Sequence, residues 1–176
     1  SRGGHHHPEL IIVEILDETG KPCKEGEAGE VVISTLQMEA MPLLRFKTGD
    51  ICGWFQDDCP CGRSTLRLGP VIGRKKQMIK YKGTTLYPPA LYDLLNEFEE
   101  IAAFVIEVFT NNIGTDEIII KVASREASSQ FQKRIKDHFR AKLRVAPKVE
   151  FLDFEIINKL RFPEMGRKPV LFFDKR

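Results

Sequence analysis

The chain has no apolar run approaching the roughly 20 residues that a membrane-spanning helix needs, so no transmembrane helix is expected. No cationic, apolar signal segment opens it, and a secreted product is not expected. An excess of one charge is also missing. Lysine and arginine number 27 against 25 aspartates and glutamates, a net of +2. That is too little to argue for nucleic acid from global charge. Cysteine is scarce, with four at positions 23, 52, 59 and 61. With nothing pointing to secretion, a disulfide framework is not expected, and a reducing cytoplasm is. Cys59 and Cys61 have one residue between them, which is awkward for a mutual disulfide and acceptable for a metal. No methionine starts the chain, which opens at Ser1-Arg2-Gly3-Gly4, so a fragment is expected.

What is present is globular: 42% hydrophobic and 30% charged residues, far from a disordered composition. A length of 176 residues suits one ordinary domain or two small ones.

The chain is organised around Gly73-Arg74-Lys75-Lys76-Gln77-Met78-Ile79-Lys80-Tyr81-Lys82-Gly83-Thr84-Thr85-Leu86-Tyr87-Pro88-Pro89. Two strand-like runs, 77–81 and 84–87, flank Lys82-Gly83. Glycine there allows positive φ and close approach to another molecule. Pro88-Pro89 ends strand pairing and suits the first turn of a helix. The stretch is read as a hinge followed by a hairpin.

Before it, strand-like runs at 10–16, 31–35, 43–47 and 51–55 alternate with turns at 17–22, 25–30 and 48–50. This predicts a small antiparallel sheet or partial barrel. After it, Leu91, Leu94, Leu95 and Phe98 share one helix face. Residues 101–110 form a strand apolar on both faces, and a hairpin loop at 111–116 leads to its partner at 117–123. Phe131, Ile135, Phe139 and Leu143 step along a second helix, about 126–143, followed by a strand at 149–154. A basic loop around Arg167-Lys168 leads into a last strand. The expected class is α+β: a small antiparallel β subdomain, then a compact domain with a three-stranded sheet, a β-hairpin and two main helices on one face.

Asp57-Asp58-Cys59-Pro60-Cys61-Gly62-Arg63 is a constrained polar loop. It is either a turn with free thiols or a zinc site, since paired thiolates on a tight loop suit tetrahedral Zn²⁺. His5-His6-His7 is short for a purification tag and could supply an imidazole. A fourth ligand would be Cys23, Cys52 or a residue upstream.

Taken in order, these stretches resemble the adenylate-forming acyl-CoA ligases, specifically the phenylacetate-CoA ligase branch. Pro42-Leu43-Leu44-Arg45-Phe46-Lys47-Thr48-Gly49-Asp50 resembles that branch's Pro-Leu-Ile-Arg-Tyr-Arg-Thr-Gly-Asp. Residues 73–83 resemble the superfamily hinge, and Tyr87-Pro88 stands where the branch has Phe-Pro. The resemblance implies that residues 1–75 end a large domain and that residues 76–176 are a mobile lid. The phosphate-gripping loop and the acid pocket of the family are not in this sequence.

The resemblance implies Asp50 on the ATP ribose, where a carboxylate can accept both hydroxyls of a diol, with Arg74 also reaching the nucleotide. Lys76 is the implied pivot, where most relatives have Asp. Gly83 is implied to line the pantetheine channel of coenzyme A. The mobile catalytic cation is implied to be Lys168 or Arg167. The following Phe172-Phe173-Asp174 selects Lys168, whereas Gly166 selects Arg167. His5, Cys59 and Cys61 are implied zinc ligands, completed by a cysteine upstream. The implied activity uses Mg-ATP to adenylate a carboxylic acid, releasing AMP as the acyl group passes to coenzyme A. The implied partners are that acid, ATP and CoA, with neither nucleic acid nor membrane, and with a homodimer left open. This piece alone is not expected to catalyse the whole reaction. The rival without catalysis is a ferredoxin-like regulatory or nucleic-acid-binding module at 77–176. The lack of stacking aromatics on a basic strand face speaks against RNA.

Overall fold

The computed structural model describes residues 3–163 and 168–176. It divides into two compact units, Ser1–Gln77 and Met78–Arg176.

The first unit contains β1 (Gly4–His5), β2 (Ile11–Leu16), β3 (Gly29–Thr35), β4 (Phe46–Cys52), β5 (Trp54–Phe55), β6 (Arg67–Leu68) and β7 (Gly73–Arg74). They form two antiparallel sheets, ordered β2-β3-β4-β7 and β1-β6-β5. Alternation along β2 and β3 turns Val13, Ile15, Val31 and Ile33 to one face. There they pack with Cys23, Cys52, Trp54 and Leu68. Asp17 makes the turn after β2 by accepting the amides of Thr19 and Lys21 at 2.8 and 2.9 Å.

Residues 48–50 do not separate two strands, as the sequence suggested. They lie inside β4, where the register against β3 shifts between Glu30 and Val32. Gly49 adopts φ +77° there, so the strand bulges and continues. The expected strand at 51–55 divides at Gly53, where the chain passes from one sheet to the other.

A single 3₁₀ turn, Lys75–Gln77, leads out of β7. The second unit opens with the hairpin β8 (Ile79–Tyr81) and β9 (Thr84–Leu86), followed by α1 (Pro88–Asn96). Lys82 and Gly83 both have positive φ, 45° and 83°, the pairing a two-residue hairpin turn requires. Then come β10 (Ile101–Thr110), β11 (Asp116–Ser124), α2 (Ser129–Leu143), β12 (Lys148–Phe151), α3 (Phe154–Arg161) and β13 (Phe172–Asp174). The Ser128 hydroxyl accepts the Phe131 amide at 3.0 Å, and this cap is why α2 begins later than periodicity alone suggests.

The sheet has four strands, β12-β11-β10-β13, not three. The central pair is antiparallel, and both edge strands run parallel to their neighbours. Phe104, Ile106 and Val108 on β10 face Leu91, Leu95, Phe131, Ile135 and Phe139 of α1 and α2. Ala103 and Val105 face the other way, onto Ile157 of α3. Helices therefore cover both faces, which corrects the one-face expectation and explains why β10 is apolar on both sides. The helix α3 is not evident in the sequence because it is only eight residues long and its apolar residues Phe154, Ile156, Ile157 and Leu160 mark no clean face: Ile157 is the only one buried, while Phe154 and Ile156 are exposed. No described helix is long and apolar enough to cross a membrane.

Candidate functional site

The register of β4 against β7 sets Asp50 opposite Arg74. The Asp50 carboxylate lies 3.2 Å from the Arg74 guanidinium, with side-chain exposures of 31% and 71%. Neither is locked in a core, so the carboxylate keeps room for a further donor. The loop is held from behind. Thr48 donates its hydroxyl to the Val31 carbonyl at 3.0 Å and accepts the Asp50 amide at 3.1 Å. The bulge at Gly49 is thus what aims Asp50 at Arg74.

Lys75 and Lys76 follow in the 3₁₀ turn. Lys75 donates to Glu30 at 2.8 Å, and that carboxylate is 9% exposed. Lys76 is exposed. In the second unit, Gly83 tips the hairpin, and nothing lies within 4 Å of where a β-carbon would project. Its backbone conformation, not crowding, calls for glycine. The Lys82 ammonium sits 5.5 Å from the centre of the Tyr81 ring. Lys168 is exposed. Beyond it, the Val170 amide donates to the Arg161 carbonyl at 2.7 Å and the Leu171 carbonyl accepts the Ile106 amide at 2.8 Å, which fixes the entry to β13. Arg167 lies outside the described residues.

His5, Cys59 and Cys61 come together, with ligand atoms all within 4.8 Å of one another. Pairing of β1 with β6 brings residue 5 beside the loop that carries the cysteines. The Cys61 sulfur is 3.3 Å from His5 Nε2. A tetrahedral zinc with Zn–S near 2.3 Å and Zn–N near 2.0 Å has a sulfur–nitrogen edge of about 3.5 Å. His5 Nδ1 faces the Thr65 carbonyl at 2.8 Å and its hydroxyl at 3.0 Å. That contact orients the ring and leaves Nε2 as the free donor, the usual outer-shell arrangement of a metal-bound histidine. The backbone amide of Arg63, the Cys59 side chain and the Arg63 charge together hold the Cys61 thiol below its ordinary range. The two sulfurs and one imidazole nitrogen are donors of the kind zinc takes, three of the four that a tetrahedral structural site needs. Cys23 and Cys52 do not join it: both are buried in the apolar core, and burial pushes their thiols up. All four cysteines are free.

Several buried ion pairs have no counterpart in any local sequence pattern. Glu107, 5% exposed on β10, meets Lys121 and Lys175, each at 2.9 Å. Asp116, 9% exposed, meets Arg176 at 2.8 Å. Partners so far apart in the chain leave no local pattern to read.

No protein-family model matches the chain. The fold recurs in solved ligase structures. A 2-hydroxyisobutyryl-CoA ligase, in its postadenylation state with 2-HIB-AMP, aligns with TM-score 0.76 and 23% identity over 96% of this chain and 36% of that one. The amide bond synthetase of Marinactinospora thermotolerans aligns with TM-score 0.56 and 19% identity over 81% and 30%. This is the fold of the C-terminal part of the adenylate-forming ligases.

Sequence narrows the class further. The phenylacetate-coenzyme A ligase of Thermus thermophilus is 35% identical over 135 residues, 76% of this chain and 30% of that enzyme. The Escherichia coli phenylacetate-coenzyme A ligase is 29% identical over 126 residues, 70% of this chain and 27% of that enzyme. The chain is similar in sequence to the C-terminal part of the phenylacetate-coenzyme A ligases, and it spans less than a third of the length of these curated relatives.

Proposed function

We propose that this chain serves an AMP-forming acid–thiol ligase that activates an aryl acetic or related acid with Mg-ATP and passes the acyl group to coenzyme A. Residues 1–75 would complete the large domain and residues 76–176 would be its lid. In the first step a carboxylate oxygen attacks the α-phosphorus of ATP and pyrophosphate leaves. In the second the CoA thiolate attacks the acyl carbonyl and AMP leaves. The observation that carries this reading is the accessible Asp50–Arg74 pair immediately ahead of the turn where the two units divide.

Asp50 would hold the ribose diol, with Arg74 screening its charge and reaching the nucleotide. Rotation at Lys76 would exchange the exposed cation Lys168 (or Arg167) for the Gly83 hairpin, so that one lid serves both steps. Lys168 would stabilise the charge that develops between carboxylate and α-phosphate during adenylation. In the full-length protein, Lys168→Ala should lower acyl-adenylate formation by about 100-fold or more, while thioester formation from preformed adenylate is spared. Equal loss in both steps refutes the assignment.

His5, Cys59 and Cys61 would hold a structural zinc, supported by the 3.3 Å sulfur–nitrogen approach and the Thr65 contact behind the ring. Zinc would pin β1 to the loop at 57–63 and take no part in the reaction. The exposed Cys61 thiol and the four unpaired cysteines favour a reducing compartment such as the cytoplasm.

A further inference from the structure

Residue 78 begins the second unit, and β13 is the strand that follows Lys168. A single guanidinium reaches both. Arg176 Nη1 donates to the Met78 carbonyl at 2.7 Å and to Asp116 Oδ2 at 2.8 Å. Its Nε and Nη2 donate to the two oxygens of Asp174, the last residue of β13, at 2.8 and 2.6 Å. Asp116 Oδ2 also accepts the Lys80 amide at 2.7 Å, which ties β8 to the same carboxylate. The Arg176 side chain is 20% exposed and Asp116 only 9%. Screening by water is reduced there, and charge-assisted bonds hold more strongly. The planar guanidinium meets both Asp174 oxygens side by side while Nη1 turns to Met78 and Asp116, a fixed fork that the three donors of a lysine ammonium, all on one nitrogen, do not reproduce. On the far side of the 3₁₀ turn, a second shielded carboxylate, Glu30, grips Lys75 at 2.8 Å.

We propose that Arg176 and Asp116 are positioning residues that make the entry to the second unit and the strand behind Lys168 one rigid piece. With Glu30 holding Lys75, the freedom of the linker is confined to Lys76-Gln77. The consequence for catalysis rests on the ligase reading; the rigidity itself does not. A swing of the hinge would then carry Lys168 with it without slack, because the first residue of the moving unit and the strand after the cation share one anchor.

The test is amide hydrogen exchange on the full-length protein, followed by mass spectrometry. Loss of a charge-assisted bond of this kind multiplies local opening by about tenfold or more. Arg176→Ala should speed exchange at residues 78–81 and in β13 by about that factor, while the β10–β11 ladder keeps its protection. Arg176→Lys should fall between, since it keeps the charge and loses the fork. Asp116→Asn, which keeps an acceptor for the Lys80 amide and loses the charge, should loosen the same two segments. In the pyrophosphate-forming partial reaction Arg176→Ala should lower the rate while leaving the KM for the acid unchanged. Exchange at 78–81 within about twofold of wild type, or uniform loosening of the whole unit, overturns the proposal. If wild-type protein adenylates no acid, the ligase reading fails, and the exchange pattern still decides the role of Arg176.

Discussion

Replacing Cys61 with serine tests the metal centre and its energetic weight together. The Cys61–His5 approach joins residues 56 apart in sequence. A link closing a loop of that length removes about 4 kcal/mol of unfolded-chain entropy at 25 °C. That value is a ceiling for what zinc contributes through this contact. By mass action it corresponds to free zinc about 1,000-fold above its Kd. With a urea m-value of about 1–2 kcal/mol/M, the midpoint of the first unit should rise on zinc loading by up to about 2–4 M. The assay is urea unfolding followed by Trp54 fluorescence, with and without chelator, alongside zinc content by atomic emission. Wild type should bind one zinc and lose its extra stability to the chelator. Cys61→Ser should bind far more weakly and match chelated wild type, because the β1–β6 pairing does not depend on the thiol. The reasoning fails if the variant retains zinc at wild-type stoichiometry, or if chelator leaves the wild-type midpoint unmoved.

Acid should expose the Glu107 cluster. Burial raises the Glu107 carboxyl, but hydrogen bonds and charge from Lys121 and Lys175 outweigh it and leave the group below its ordinary 4.5. Because the folded value is depressed, this stabilisation is present above pH 4.5 and lost as pH falls through the folded value. Glu107→Gln should cost about 1–3 kcal/mol at neutral pH and flatten the acid limb of stability against pH; a limb as steep as wild type counts against the assignment. Phe131, 1% exposed, packs edge-on to Phe98 and stacks on Phe151 at centroid distances of 5.8 and 6.0 Å. Phe131→Ala should cost the second unit about 3–5 kcal/mol by urea unfolding, and a loss below 1 kcal/mol, well short of that range, would mean the core re-packs around the gap.

Local chemistry was legible wherever a short stretch suffices. The Lys82-Gly83 turn, the proline start of α1 and the apolar faces of α1 and α2 follow from backbone preference and helical period, and all are present. Less legible was anything that depends on pairing between distant strands. Thr48-Gly49-Asp50 has the composition of a turn, and only its β3 partner makes it a bulge. The last strand was expected after the basic loop, but its partner was not: β13 runs parallel to β10 and makes the sheet four-stranded. Spacing singled out Cys59 and Cys61 but left Cys23 and Cys52 open as a fourth ligand, and the fold places those two in the core while Cys59 and Cys61 face His5.

The order of motifs along the chain was enough, by itself, to point to the phenylacetate-CoA ligases and to single out residues 73–83 and the candidate pair Asp50 and Arg74, since these are contiguous stretches whose spacing carries meaning. Tertiary structure alone decided which acids and bases meet. Glu30 with Lys75 and Asp116 with Arg176 are separated by tens of residues, and their union is a product of how the strands pair. Folding buries a carboxylate only where such a partner arrives, because an unpaired charge away from water costs more than a domain of this size can spare.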